Sequence, residues 1–175
     1  MAVTRTTRLP EDIDSYLQEL AKLEKVSVNF IINRSLQQLV DWDESAHRFG
    51  FASISTSLLS KLIDRLSISD LREIGAWLAM NQVKAFILFS SKEISLDGVL
   101  NWLHLYSRYS GVFKADYTID RKKDKYVLIL NHSLGEKGSL FLEAMLQSIF
   151  TGLLKISIET SNTQDFCIAT FAVPA

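Results

Sequence analysis

The sequence predicts an α+β chain in two parts: a short strand–helix–helix unit over residues 1–45, and a larger α+β domain over residues 50–175. Three observations carry that expectation. Residues 3–44 hold one brief alternating segment and then two helical periodicities. From residue 83 onward, β-branched and aromatic runs alternate with helical stripes in the order βαββαβ plus one strand. Between the parts, DWDESAHRFGF (41–51) is polar with aromatic anchors and is not Gly/Ser/Pro-rich, so the second part joins closely without a loose tether.

Composition narrows the class. At 47 % hydrophobic and 22 % charged, the chain has enough apolar side chains for a core. No window approaches eighteen uninterrupted apolar residues, which argues against a membrane span. Arg5 and Arg8 are followed by no apolar run, so the N-terminus does not read as a signal peptide. Cys167 is the single cysteine, and one thiol forms no intrachain disulfide; a reducing, cytoplasmic setting is expected. The net charge of −1 does not by itself point to nucleic acid, but its distribution is uneven. Residues 1–10 hold two arginines and no acid, whereas residues 11–24 hold Glu11, Asp12, Asp14, Glu19 and Glu24.

The N-terminal elements follow in order. Thr4–Leu9 reads as a strand, its threonines favouring extended backbone. Side chains alternate, so Val3, Arg5, Thr7 and Leu9 share one face and Thr4, Thr6 and Arg8 the other. Leu9 suits the core face, which turns Thr4, Thr6 and Arg8 outward. Arg5 has core parity and is expected to turn out past the core towards a phosphate. Pro10 ends the strand and suits the first turn of a helix, where Glu11, Asp12 and Asp14 favour the N-terminal end. Ile13, Leu17, Leu20 and Ala21 recur at helical spacing. Ser27 is a suitable N-cap for a second helix from Val28 to about Asp41. That helix carries Phe30, Ile31, Ile32, Leu36, Leu39 and Val40, a set wider than one stripe, as burial by two different neighbours requires. A lone strand and two helices leave an unpaired edge and wet apolar surface; pairing with a second copy resolves both.

RTTRLPEDI leading into the first helix and SVNFIINRSL opening the second resemble the ribbon-helix-helix repressors of bacteria and archaea. The resemblance covers residues 3 to about 44, and its most specific parts are the Leu-Pro-acid-acid-Ile turn and the spacing from Leu9 to Ser27. It implies a homodimer whose two strands form an antiparallel ribbon lying in the major groove of double-stranded DNA. Thr4, Thr6 and Arg8 would read base edges, Arg8 pairing with guanine in bidentate fashion. Arg5, Ser27 and Asn29, with the backbone N–H groups of Val28 and Asn29, would hold phosphates. Two positions depart from the family pattern. Lys25 stands where glycine is frequent, so a different interhelical turn is expected, and Thr7 stands where valine or isoleucine is more usual.

In the larger part, residues 52–65 and 69–81 read as helices, with Ser67 or Ser69 capping the second. VKAFILFS (83–90) reads as a strand from its aromatic and β-branched content, and Ser95 caps a helix that Gly111 ends. VFKADYTID and KYVLILNH flank the charged tip RKKDK as a hairpin, Glu136–Leu154 is a long helix, and ISIETSN and DFCIATFAV close the chain as a second hairpin. The order suits a ferredoxin-like sandwich, and several ribbon-helix-helix regulators carry a ligand-sensing domain of that order.

Chemistry-bearing residues are sparse. His47, His104, His132 and Cys167 lie far apart with no His-x-His pair, so no metal site, cofactor or catalytic group is expected. In NHSLGEKGSLFLEAML, Gly135 reads first as a strand-to-helix turn; the alternative is that free N–H groups where Ser133, Gly135 and Ser139 lead into the helix receive an anion, though no Gly-Lys-Ser/Thr follows to make a phosphate loop. Expected partners are DNA and a second copy, with further assembly to a tetramer and a small apolar effector of the second part as open roles. The alternatives are an antitoxin-type autoregulator whose second part binds a protein, and an oligomerisation module that does not bind DNA. An antitoxin tail is usually disordered until bound, whereas residues 50–175 have the patterning of a folded domain.

Overall fold

The computed structural model describes residue 3, residues 5–120 and residues 125–172. It is a mixed α+β chain dividing into two compact units, Met1–Glu44 and Ser45–Ala175.

In the first unit the strand expected over Thr4–Leu9 does not form among the described residues: residues 5–10 take no regular structure. A ribbon needs a strand from each of two chains, and a single edge does not hold extended backbone by itself. Helix α1 (Glu11–Glu24) begins directly after Pro10, whose carbonyl accepts from the Asp14 N–H at 3.0 Å. It ends on Lys25 in the left-handed conformation (φ 56°), with the Val26 N–H reaching Ala21 O at 3.0 Å and the Lys25 N–H reaching Lys22 O at 3.3 Å. That is the Schellman closure usually made by glycine. The different turn expected from the missing glycine is therefore not what forms; the lysine adopts the glycine conformation. Left-handed backbone costs an L-residue about 1–2 kcal/mol, and glycine escapes it at some cost in unfolded-state entropy. Lys25→Gly is expected to raise stability by about 0.5–1 kcal/mol, seen as a higher thermal midpoint; an unchanged midpoint would mean that Lys25 carries no strain.

Helix α2 (Val28–Gln38) is capped by Ser27, whose Oγ accepts from the Phe30 N–H at 3.1 Å, as the sequence predicts. Arg34 joins the two helices through a two-pronged bond to Glu24, with Nη1 to Oε2 at 2.7 Å and Nη2 to Oε1 at 3.0 Å. That hydrogen bond holds the Glu24 carboxyl below its ordinary value. A π turn (Leu39–Asp43) follows α2, and α3 (Glu44–Arg48) falls almost wholly in the second unit.

The second unit contains α4 (Thr56–Arg65), α5 (Ile68–Leu78), a π turn (Ala79–Val83), α6 (Lys84–Ser91) and α7 (Leu96–Tyr109). Strands β1 (Phe113–Asp120) and β2 (Lys125–His132) follow, then α8 (Glu136–Gln147) with a terminal π turn (Ser148–Leu154), then β3 (Glu159–Asn162) and β4 (Phe166–Ala172). Ser67 caps α5 in a capping box with Asp70, and Ser95 caps α7. Both hairpins and the long helix from Glu136 form where patterning puts them. Residues 121–124 of the charged tip lie outside the described residues.

A second expected element is also corrected. VKAFILFS is helix, not strand: α6 extends α5 through the π turn. The buried residues Leu71, Gly75, Ala79, Val83 and Ile87 recur every four positions, a helical stripe visible once the window reaches back across residue 79. Four is slightly longer than the 3.6-residue period, and the wider π turn takes up the drift so that the stripe stays on one face. Without that first strand the βαββαβ order fails. The four strands instead form an antiparallel sheet in the order β1-β2-β4-β3, which is not the predicted sandwich.

Register places Ala115, Leu130 and Cys167 in one row and Tyr117, Leu128 and Ala169 in the next. Leu128, Leu130, Cys167, Ala169 and Phe171 are buried, on the sheet face packed by α8, and Phe150 meets Phe171 with ring centroids 4.6 Å apart. Helix α8 also packs against α5. Part of the β1 edge is blunted, because Ser107 Oγ of α7 accepts from the Ala115 N–H at 2.8 Å.

Candidate nucleic-acid interface

The residues expected to meet DNA fall into two groups in the first unit. Arg5, Thr6 and Arg8 are exposed in the irregular segment before α1, while Thr4 lies outside the described residues. Among the described residues, neither Arg5 nor Arg8 pairs with a carboxylate. Ser27, Val28 and Asn29 sit at the start of α2. The first N–H groups of a helix lack intrahelical acceptors, so those of Val28 and Asn29 point out of the helix end, whereas the Ser27 hydroxyl is already engaged as the cap. Among the described residues, no hydrogen bond joins the two groups.

The apolar surface of this unit is lopsided. Ile31 is the one buried residue of α2 and Ala21 the one buried residue of α1. Ile32, Leu36, Leu39 and Val40 recur at i, i+4, i+7 and i+8, a second face of the helical run pointing away from Ile31. Leu36 is 54 % exposed and Val40 73 % exposed, and on α1 Leu23 is 80 % exposed. The two-neighbour reading of this helix is thus half met within one chain. Ile31 is covered, whereas Leu36, Leu39 and Val40 are exposed and Ile32 is half-buried.

The histidines and the cysteine do not converge. His47 and His104 are exposed. His132 is buried, its Nδ1 accepting the Leu134 N–H at 3.2 Å and its Nε2 lying 2.9 Å from Ser139 Oγ. Because Nδ1 accepts, the neutral ring carries its proton on Nε2 and donates it to Ser139, whose own hydroxyl donates to Thr163 O at 2.6 Å. A histidine arranged this way has no lone pair for the serine proton. The pair is a fully buried staple between the β2–α8 turn and the β3–β4 hairpin, not a nucleophile and its base. Gly135, at φ +77°, supplies the turn that leads into α8, as its sequence context predicts. Burial pushes the Cys167 thiol up to about 12, which keeps it protonated and unreactive. Among the described residues, no three His, Cys, Asp or Glu side chains gather as metal ligands. No described helix is long and apolar enough to cross a membrane.

The His132 staple has a pH consequence. Burial lowers its pKa below the ordinary 6.5, although Asp165 opposes this. The unfolded chain then binds a proton near pH 6.5 that the folded chain refuses, so stability is complete above that value and falls as pH drops towards the folded pKa. The slope is at most about 1.4 kcal/mol per pH unit. Urea midpoints measured between pH 7.5 and 5.5 should fall with acidification, and His132→Gln should flatten that dependence. An equally steep dependence in the variant would remove His132 as its source.

Leu59, Leu62, Ile63, Leu66 and Val112, which line a small apolar cavity of the second unit, were not singled out from the sequence. No family model matches the chain, and no curated protein matches it.

Proposed function

We propose that the chain is a sequence-specific DNA-binding transcriptional regulator of the ribbon-helix-helix type, acting as a homodimer in the cytoplasm. The observation that carries this reading is the exposed apolar set Leu36, Leu39 and Val40, in the same unit as an exposed Arg5-Thr6-Thr7-Arg8 segment whose arginines pair with no carboxylate among the described residues. A second copy covers the first and supplies the missing strand for the second. In the paired ribbon, Thr4, Thr6 and Arg8 alternate onto the outer face and read base edges in the major groove. Arg5, Asn29 and the free N–H groups at the start of α2 hold the flanking phosphates. Ser27 acts there through its backbone and as the cap, since its hydroxyl is committed to Phe30. The acidic first turn of α1 opposes non-specific attraction, so affinity leans on these few contacts. The second unit serves sensing or assembly, including the step from dimer to tetramer.

Selection of bound duplexes from a random pool tests the reading, and it should return a symmetric site of two half-sites. Arg8→Ala should weaken binding to that site by about 1–3 kcal/mol and relax preference at one base pair per half-site. Recovery of no enriched sequence by a folded dimer would refute DNA reading, and the chain would then stand as an oligomerisation module.

A further inference from the structure

The second unit contains a cavity of about 220 Å³ between α4, α5, the end of α7 and α8. Its wall includes Leu59, Leu62, Ile74, Leu78, Tyr106 and Phe141, and Tyr106 is the one lining side chain that carries a polar atom. Behind it lies packed core: Ile63, Leu71 and Leu134 are buried together. Tyr106 is itself backed by rings, stacking on Phe113 at 5.3 Å and tilting against Trp102 at 5.2 Å, so this side of the wall is rigid. At the mouth, Leu62 and Ile74 are about half exposed. Helix α4 is tied down at its C-terminal end, where the Lys137 ammonium donates to Asp64 O at 2.9 Å and Leu66 O at 2.5 Å, and Ser60 Oγ donates to Leu134 O at 3.4 Å.

We infer that this cavity is a binding site for a small, flat, uncharged organic molecule of one or two rings. Volume sets the upper limit. An engineered apolar cavity of about 150 Å³ takes up benzene, and this one is somewhat larger, too small for a helix or an extended peptide. Chemistry sets the rest. An ionised ligand would surrender its hydration to a wall of aliphatic and aromatic carbon with no partner for its charge. Tyr106 and Phe141 add edge or face contacts that favour an aromatic ring over a branched alkane of equal size. This inference does not rest on DNA binding, and its test contains no DNA.

The test is calorimetric titration of the full chain with toluene, indole and benzoate, each followed by methyl NMR. Toluene and indole should bind saturably at one site, shifting methyl resonances of Leu59, Leu62 and Ile74, with benzoate about tenfold weaker or worse. Leu62→Asp should abolish uptake, while Leu58→Asp, equally exposed but outside the cavity, should leave it unchanged. Should Leu62→Asp fail to fold, Ile74→Trp fills the space and must give the same loss. The inference falls if neither toluene nor indole saturates, if benzoate binds as well as toluene, or if Leu62→Asp retains binding. Light scattering on the same samples settles the rival occupant. A mass that drops with Leu62→Asp, with no probe bound by the parent chain, assigns the mouth to another copy and overturns the inference.

Discussion

Gly75→Val is expected to destabilise the second unit by about 3 kcal/mol or more, the upper end of what overpacking costs. Gly75 lies in the middle of α5 and is buried. A Cβ built there would stand 2.7 Å from Phe141 O, 3.0 Å from Ala144 Cβ and 3.1 Å from Met145 N. The first and third of these atoms belong to the backbone of α8. They sit in a hydrogen-bonded ladder and cannot rotate aside as a side-chain tip would, so the helices themselves must separate. Alanine in place of glycine gains up to about 1 kcal/mol of helix propensity, partly offsetting the clash. Valine adds two more methyl groups to the same gap and recovers less propensity. The ranking expected from urea midpoints is therefore wild type, then Gly75→Ala, then Gly75→Val, with similar denaturant slopes. A valine variant with the wild-type midpoint would mean that α5 and α8 are not in close contact. The glycine also explains how the long α5–α6 helix reaches its neighbour: a residue without a side chain sits where two helical backbones nearly touch.

Much of the architecture was legible because local signals and tertiary need agreed. Ser27, Ser67 and Ser95 each cap the helix they precede, and both hairpins lie where alternating runs flank polar tips. The failure at VKAFILFS has one cause. An eight-residue apolar window holds too few turns to show its period, and its β-branched and aromatic content then decided wrongly. The stripe through Leu71, Gly75, Ala79, Val83 and Ile87 was present but interrupted by two small residues, which carry no hydrophobic signal even though they mark the tightest contact. The closure at Lys25 was misread for a related reason. Propensity ranks glycine first for left-handed backbone, yet the hydrogen bonds from Lys25 and Val26 back into α1 suffice to hold a lysine there. At the proposed interface, the alternation expected for Thr4, Thr6 and Arg8 is not seen in one chain, where residues 5–10 are irregular and Thr4 lies outside the described residues. In the proposed dimer the backbone partners that would make this segment extended belong to another copy, so a single chain gives no sign of them.

Leu36→Glu is the substitution expected to separate folding from association most cleanly. In one chain Leu36 is more than half exposed on the face of α2 opposite Ile31, so a carboxylate there meets water and leaves the α1–α2 hairpin intact. The Arg34–Glu24 bond and the Ser27 cap lie elsewhere on the hairpin and remain in place. In the proposed dimer the same side chain is buried against a second copy, and two-fold symmetry buries it twice. An unpaired carboxylate removed from water costs several kcal/mol, which is more than a hundredfold in the association constant. The variant should therefore keep its helical circular dichroism, sediment as a monomer at concentrations where the parent is a dimer, and lose the selected DNA site altogether. That loss should exceed the effect of Arg8→Ala, which removes one contact per half-site while Leu36→Glu removes the ribbon itself. A variant that remains dimeric would place the two-fold elsewhere on the chain. The ribbon would then have no second strand, and the exposed segment of Arg5, Thr6 and Arg8 would lose the geometry on which base reading depends.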